Sequence, residues 1–150
     1  MDKPAVRFQR ANYVVSDLDR ALEFYVGVLG LTLDFVKESE KTSYSYPVFD
    51  IPLDADMRFA VLSAPNQPRV MALTELKNTE IIAVSHPRRA AIVLETPDVD
   101  AVRDRATAAG FTVCVEGELL TFDGRLGREL GIIDADDNLT VIYSLPDQVE

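Results

Sequence analysis

Two stretches of the sequence repeat one pattern, and this repeat constrains the fold more than any other feature. The first is SDLDRALEFYVGVLGLTL, from position 16, and the second is PDVDAVRDRATAAGFTV, from position 97. Both contain Asp, an apolar residue and Asp, then a helical stretch, then Gly, apolar, Thr and apolar. Asp17 and Gly30 are 13 positions apart, and Asp98 and Gly110 are 12 apart. We therefore expect two structural repeats in one chain.

The first repeat predicts a strand, a helix and further strands. The first strand is Phe8–Val15, and the helix begins after Ser16, a good N-cap residue, and ends at Gly30. Apolar residues recur through this helix at the spacing of an amphipathic helix. The strands predicted after it are Leu31–Val36, Val48–Leu53, Met57–Ser63 and Val70–Leu76, with a proline-containing turn at Ala64–Arg69 before the last.

The second repeat predicts the same order. A strand at Ala90–Glu95 precedes a helix with Thr96 as cap and Pro97 at its first position, and Gly110 ends the helix. The strands predicted after it are Phe111–Val115, Leu119–Phe122, Arg128–Ile133 and Leu139–Leu145. The chain of 150 residues is therefore interpreted as one α+β domain of two βαβββ modules, 8–76 and 88–146, with a linker at 77–89.

Composition excludes several classes of function. The net charge of −10, with scattered basic residues, excludes nucleic-acid and anionic-membrane surfaces as partners. The acidity is explained either by solubility or by a groove that attracts cationic ligands. There is no apolar run long enough for a membrane span, and the single cysteine, Cys114, suits a reducing compartment, so we expect a cytoplasmic protein. A single histidine, His86, excludes a two-histidine metal site within one chain.

Three features together resemble a known superfamily: the stretch VSDLDRALEFYVGVLGL, the stretch GREL followed by DADDNL, and the paired modules. The chain resembles the vicinal oxygen chelate superfamily, which includes glyoxalase I, bleomycin-resistance proteins and extradiol dioxygenases. The resemblance implies that the modules form a cupped mixed β-sheet barrel with helices outside and a small-molecule ligand inside the cup. It also implies a homodimer, because members commonly pair modules across a dimer.

The resemblance further implies where metal ligands would lie. The four positions that bind metal in other members correspond to Arg10, Glu75, Ala91 (or Ala90 after a shift of one residue) and Val141. Only Glu75 carries a donor that binds a metal, and a guanidinium repels a divalent cation. We therefore expect no metal site and no cofactor.

Because the family positions converge, Arg10 and Glu75 are expected to meet inside the cup and form an ion pair. This pair either is catalytic, or is a buried ion pair that only fixes the module. Side chains alternate across a strand, so the neighbours on the same face are expected to line the cup. The candidate ligand-binding residues are Asn12, Leu73, Ala91, Val93, Val141 and Tyr143.

Two functions follow from this site. The first is metal-independent binding, in which an apolar cup sequesters a cationic or aromatic small molecule, as in the bleomycin-resistance branch. The second is a metal-independent isomerase, lyase or hydrolase acting next to a carbonyl, with Arg10 as electrophile and Glu75 as base. The sequence alone leaves open whether the protein is an enzyme.

Overall fold

The computed structural model describes residues 3–146 and contains two modules of sheet and helix in sequence order. In the first module, helix α1 continues directly into a π-helical segment, Glu23–Val28. The elements of the first module are β1 (Ala11–Val15), α1 (Leu18–Leu22), β2 (Thr32–Glu38), α2 (Ser45–Val48), β3 (Asp56–Ala64) and β4 (Gln67–Lys77). Those of the second are β5 (Ile92–Glu95), α3 (Val99–Ala108), β6 (Thr112–Val113), β7 (Gly117–Leu120), β8 (Leu126–Ile133) and β9 (Leu139–Ser144).

Each module forms its own mixed sheet, and the two sheets share a topology. The first has the strand order β1-β4-β3-β2, and the second has β5-β9-β8-β6 with β7 also paired to β8. In both, the first and last strands of the module pair in parallel, while the other neighbours are antiparallel. This arrangement confirms the α+β fold class with paired modules that the repeat predicted.

Both main helices begin at the repeated aspartate. The Asp17 carboxylate accepts a hydrogen bond from the Arg20 backbone N–H at 3.1 Å, and Asp98 accepts one from Ala101 at 3.0 Å. The caps predicted at Ser16 and Thr96 are therefore wrong by one and two positions. A carboxylate at the N-cap also offsets the positive end of the helix dipole, an advantage that a hydroxyl lacks.

Both helical segments end at a glycine with a left-handed backbone, as the sequence predicts. Gly30 has φ of +81° and Gly110 has φ of +82°. After Gly30, the Leu31 N–H donates to the Tyr25 carbonyl at 3.0 Å, which closes the end of the helix. An L-residue with a side chain is strained in this conformation.

Two glycines three positions apart give a matched test of this conformation. Gly30→Ala is expected to lower the free energy of unfolding by about 1–2 kcal/mol, because alanine is strained at positive φ. Gly27→Ala is expected to raise it by about 0.5–1 kcal/mol, because helical alanine is preferred over glycine. A Cβ at Gly27 would meet no atom within 4 Å. Urea unfolding of the two variants measures both values, and equal effects would contradict the assignment.

The main core lies where the helical segments of both modules meet. The rings of Phe24 and Phe111 pack edge to face with centroids 4.9 Å apart, and the Arg105 Nε donates to the Val28 carbonyl at 3.0 Å. One continuous cluster of buried side chains combines the helices with one face of each sheet. Each sheet therefore turns one face to the helices and the other away from them. Within residues 3–146, no helix has the length and apolar character required to cross a membrane.

The strand predicted at Val48–Leu53 is wrong. This stretch contains the end of the short helix α2 and an irregular loop, in which Asp50 has φ of +55°. Tyr46 packs inward from α2, and its hydroxyl donates to the Ala55 carbonyl at 2.8 Å. The apolar residues of this stretch resembled a strand, but they anchor a loop through a second buried cluster, which comprises Tyr46, Ile51, Ala55, Met57 and Leu76.

The β8–β9 turn joins the second module to the first. Asp134 is 6% exposed, and its carboxylate accepts hydrogen bonds from the Asn138 backbone at 2.8 Å and from the Tyr25 hydroxyl at 2.8 Å. Elsewhere along this junction the Tyr13 hydroxyl donates to the Leu139 carbonyl and accepts from the Ile92 N–H. The modules are thus held together by buried hydrogen bonds as well as by apolar packing.

Candidate functional site

The face of the first sheet that points away from the helices is the first candidate site, here called the outer face. Register alternation defines it, because Leu73 and its in-register partners Tyr13 and Ala60 belong to or pack against the main core. The next residues along each strand therefore point outward. The outer face comprises Asn12 and Val14 from β1, Phe35 from β2, Phe59 and Val61 from β3, and Ala72 and Thr74 from β4.

Two aromatic rings lie on the outer face. Phe35 and Phe59 pack edge to face with centroids 6.0 Å apart. Phe35 is 44% exposed, although phenylalanine is normally buried in a folded chain. Val61, which is in register with Phe35, is only 1% exposed. The outer face therefore presents aromatic surface above a close-packed apolar floor.

One end of the outer face is covered by the loop that contains α2. Tyr46 and Ile51 from this loop pack with Met57 of β3 and Leu76 of β4, and Val14 contacts the same cluster. The loop spans the region between β2 and β3 and leaves the Phe35 ring partly exposed. The outer face is thus covered at one end and open at the other.

A polar pair lies on the same face. The Thr74 hydroxyl donates to the Asn12 side-chain oxygen at 3.0 Å, which orients the amide. The Asn12 Nδ2 is shielded from solvent and has no hydrogen-bond partner among the described residues. A buried amide donor without an acceptor costs free energy, so this group is the polar feature of the face that most favours an added acceptor.

Glu75 does not lie on the outer face, and the predicted pair with Arg10 is wrong. Glu75 is in register with Val15 and Arg58 on the helix-facing side, and it is 2% exposed. Its carboxylate accepts two hydrogen bonds from Arg58, from Nε at 2.8 Å and from the terminal nitrogen at 3.2 Å. It also accepts from the Leu18 N–H at 2.5 Å, in the first turn of α1.

The surroundings of Glu75 fix its charge. Burial alone raises the pKa of a carboxyl group, but the hydrogen bonds from Arg58 and from the Leu18 N–H outweigh burial and hold the pKa of Glu75 below its ordinary value. Glu75 is therefore an ionised structural group that ties β3, β4 and the start of α1 together. A carboxylate held in this way is a poor general base.

Arg10 lies one residue before β1 and is exposed. By alternation its side chain points to the same side as Asn12, whereas Glu75 points to the helices. The two residues are also five positions apart along the paired strands, since Glu75 is in register with Val15. The prediction that Leu73 binds ligand is also wrong. Like Glu75, Leu73 points towards the helices, and it is 0% exposed in the core between sheet and helix.

In the second sheet, the predicted residues of the strands lie on the face that points away from the helices, as expected. Val93 is in register with Val141, and both alternate with the core residue Ile142. Tyr143 lies on the same face, and its hydroxyl donates to Glu95 at 3.1 Å, which raises the pKa of the phenol above its ordinary value. Ala91 lies just before β5 and is exposed. Val93 and Tyr143 also line a groove of about 1260 Å³ between the two modules.

The residues at the metal positions of the family do not fit a metal ion. Arg10 is a cation, Glu75 is held by Arg58 on the other side of the sheet, and Ala91 and Val141 have no donor atoms. Among residues 3–146, no three His, Cys, Asp or Glu side chains are grouped in a way that could hold a metal.

Sequence reasoning missed Phe35, Phe59 and Arg58. The strand containing Phe35 has an irregular register at Asp34, which shifts the alternation within one strand. A partial signal for Arg58 was present in the β3–β4 hairpin. Counting from the pair Ala64–Gln67 at the turn places Arg58 opposite Leu73, on the face of Glu75, and the irregular register between Leu62 and Ala64 shifts its partner to Glu75. No comparable signal marks Phe35 as exposed, because its exposure depends on what the loop with α2 leaves uncovered.

Two mixed sheets of repeated topology, each with a helix on one face, define the class of two-module βαβββ proteins. The chain belongs to the Glyoxalase/Bleomycin resistance protein/Dioxygenase superfamily, whose family model matches residues 7–139. No protein with a curated description matches it at a significant level.

Several solved structures share the fold. A glyoxalase family protein from Bacillus cereus is 18% identical with a TM-score of 0.75, over 97% of each chain. The trypanothione-dependent glyoxalase I of Leishmania major is 16% identical with a TM-score of 0.66, over 93% of this chain and 87% of its own. An antibiotic binding protein from Streptomyces sp. CB03234 is 19% identical with a TM-score of 0.59, over 97% of this chain and all of its own (100%). At these identities the likeness shows the fold alone.

Proposed function

We propose that the protein binds a small aromatic molecule, without a metal ion, on the outer face of the first sheet. The observation that carries this proposal is the pair of Phe35 and Phe59, partly exposed on an apolar floor and covered at one end by a loop. Small-molecule sites are mostly apolar and aromatic with a few placed polar groups, and Asn12 supplies such a group here. An antibiotic-binding neighbour of the same fold supports a sequestering role.

The ligand face is completed by a second copy in a homodimer. Each sheet turns one face away from the helices, so one chain offers two separate half-sites. Val93, at 61% exposed, with Val141 and Tyr143, is the half-site of the second sheet. A two-fold axis would bring the Phe35 half-site of one copy against the Val93 half-site of the other. The single cysteine supports a cytoplasmic location, where thiols stay reduced.

An enzymatic role for the outer face has less support. It required Arg10 as electrophile and Glu75 as base, and Glu75 is bonded to Arg58 on the other side of the sheet. Arg10 remains a candidate for contacting an anionic group of a ligand, because it is exposed at the edge of the outer face. With Glu75 removed from that face as a base, the geometry favours binding over catalysis.

Aromatic probes of defined charge test this function. The probes are 9-aminoacridine, a planar cation; anthraquinone-2-sulfonate, a planar anion; and cyclohexylamine, a cation without a ring π-system. The protein has no tryptophan, so no tryptophan emission overlaps the fluorescence of the probes. Both planar probes are expected to bind, with the cation favoured by the acidic chain. Phe35→Leu with Phe59→Leu is expected to weaken binding about tenfold, since two ring contacts are lost.

The control for these titrations is Phe122→Leu, because Phe122 is fully exposed on the β7–β8 connection, away from the outer face. Binding that falls equally in the control and in the double variant would mean that the probes bind apolar surface in general. Binding of cyclohexylamine as tight as that of 9-aminoacridine would contradict the aromatic preference. Native mass spectrometry of freshly purified protein would then identify any ligand that it carries.

A further inference from the structure

One row of the outer face runs across all four strands of the first sheet. Asn12 of β1 is in register with Ala72 of β4. Val61 of β3 pairs with Ala72 on one side and with Phe35 of β2 on the other. Neighbouring strands lie about 4.8 Å apart, so the backbones of Asn12 and Phe35 are separated by about 14 Å. Between them, Ala72 is 7% and Val61 is 1% exposed, so the row has a polar end, a low apolar floor and an aromatic end.

The next row adds one residue to each end. Thr74 of β4 is in register with Phe59 of β3. The Thr74 hydroxyl bonds to Asn12, and the Phe59 ring packs against Phe35. The polar pair therefore lies on β1 and β4, and the aromatic pair lies on β3 and β2. A single aromatic ring is shorter than the span between the pairs, whereas two or three fused rings bridge it.

The polar pair requires a hydrogen-bond acceptor. Thr74 donates to the Asn12 Oδ1 at 3.0 Å, so the amide oxygen has its partner and the Asn12 Nδ2 is turned the other way. Three buried side-chain atoms among the described residues have no partner, and those on Arg88 and Thr140 lie in the linker and on β9. Only the Asn12 Nδ2 belongs to the outer face. The Asn12 side chain as a whole is partly exposed, so an acceptor can approach it from the open side of the sheet.

The floor of the row determines which acceptor fits. Ala72 and Val61 are apolar, and an ionised group buried against them would lose its hydration without a charged partner. A neutral carbonyl oxygen loses much less. Resting on the function proposed above, we propose that the ligand is a planar compound of two or three fused rings whose ring carbonyl accepts a hydrogen bond from the Asn12 Nδ2. Thr74 is then a positioning residue, which holds the amide in the donating orientation.

Two probes that differ in one group test this assignment. Fluorenone-2-carboxylate and fluorene-2-carboxylate have the same ring skeleton and charge, but the first has a ketone carbonyl where the second has a CH₂ group. By titration calorimetry, the ketone is expected to bind about three- to tenfold more tightly, because it pairs a donor that otherwise has no acceptor. In NMR spectra, the side-chain amide protons of Asn12 are expected to move downfield with the ketone probe only.

Variants of the polar pair locate the preference. Asn12→Leu is expected to bind both probes with equal affinity. Thr74→Val is expected to reduce the preference for the ketone, because the amide loses the bond that orients it. Thr107→Val makes the same change at an exposed position of α3 and is expected to leave the preference intact. Asn12→Leu with Thr74→Val replaces both partners by apolar groups of similar shape and serves as a folded reference without the polar pair.

The outcomes separate this inference from the function on which it rests. If both probes bind equally and Phe35→Leu with Phe59→Leu weakens both, the carbonyl assignment is overturned and the aromatic site stands. If neither probe binds, or if that double variant leaves binding unchanged, both are overturned. A preference for the ketone that persists in Asn12→Leu would also overturn the assignment to Asn12.

Discussion

Replacing Glu75 by alanine is expected to lower the free energy of unfolding by about 3–5 kcal/mol, which is typical for removal of one partner of a buried ion pair. The side chain is 3% exposed and accepts hydrogen bonds from Arg58 and from the Leu18 N–H. Its loss leaves a guanidinium that is 24% exposed and whose remaining carboxylate partner among the described residues is Asp19, 3.8 Å away. It also leaves the buried Leu18 N–H without an acceptor.

Removing both charges is expected to cost less than the two single losses together. Arg58→Met with Glu75→Leu avoids an unpaired guanidinium and leaves the buried Leu18 N–H without its acceptor. The double variant also removes the ion pairs of Lys77 with Glu75 and of Asp19 with Arg58, but the Lys77 and Asp19 side chains are exposed to solvent. Urea unfolding of the two single variants and the double variant gives the coupling energy between the two side chains. Additive losses in this cycle would mean that the pair contributes no interaction of its own.

The same pair predicts the direction of the pH dependence. The pKa of Glu75 is lowered in the folded chain, because Arg58 and the Leu18 N–H outweigh the effect of burial. Its contribution is therefore complete above the unfolded pKa, about 4.3, and is lost as the pH falls through the lower folded pKa. The difference in stability between the native chain and Glu75→Gln is expected to be constant above about pH 5 and to shrink in acid. The exposed Glu80→Gln serves as a control and is expected to show no such change.

The repeated pattern was sufficient to predict the modules, their order and the glycine at each helix end. These features depend on local rules, since backbone conformation at Gly30 and the helix period act within a few residues. The family resemblance was equally direct, because its motif residues lie in one continuous stretch. The strand predicted at Val48–Leu53 failed because its apolar residues belong to a cluster with distant strands, which no local pattern shows.

The candidate site was harder to predict, because it depends on which face of the sheet each side chain points to. A shift of one residue moves a side chain to the other face, so Glu75, predicted to face a ligand, instead binds Arg58 and the start of α1. The family positions place Glu75 on the correct strand, but they do not predict the face of the sheet to which its side chain points. In the second sheet the predicted face of Val93, Val141 and Tyr143 agrees with the structure, because β5 and β9 pair without a register shift. Pairing the β3–β4 hairpin about its turn places Arg58 on the face of Glu75 but opposite Leu73, because the irregular register between Leu62 and Ala64 moves its partner by two residues.

Replacing Asp134 by alanine is expected to be the other severe substitution, with a loss of about 3 kcal/mol or more in the free energy of unfolding. The carboxylate accepts from the backbone of Asp136 at 2.9 Å and of Asn138 at 2.8 Å, which shapes the β8–β9 turn. It also accepts from the Asn138 side chain at 3.0 Å. Its fourth donor, the buried Tyr25 hydroxyl, belongs to the first module, so the substitution weakens both a turn and the junction between modules.

Tyr25→Phe separates these two contributions. Burial and the neighbouring Asp134 carboxylate raise the pKa of Tyr25 far above its ordinary value, so the hydroxyl stays protonated as a donor. Tyr25→Phe alone is expected to cost about 1–2 kcal/mol, because it removes one hydrogen bond to a charged acceptor. In the Tyr25→Phe background, Asp134→Ala is expected to cost less than in the native chain, since no buried hydroxyl is then left without a partner.

Asp123→Ala is the matched control, because Asp123 also lies in a hairpin turn of the second module but is exposed. It is expected to change the free energy of unfolding by less than about 1 kcal/mol. Equal losses for Asp123→Ala and Asp134→Ala would show that turn geometry alone accounts for the effect. If Asp134→Ala costs the same with and without the Tyr25 hydroxyl, the hydrogen bond between the modules contributes nothing to stability, and the modules are held together by apolar packing.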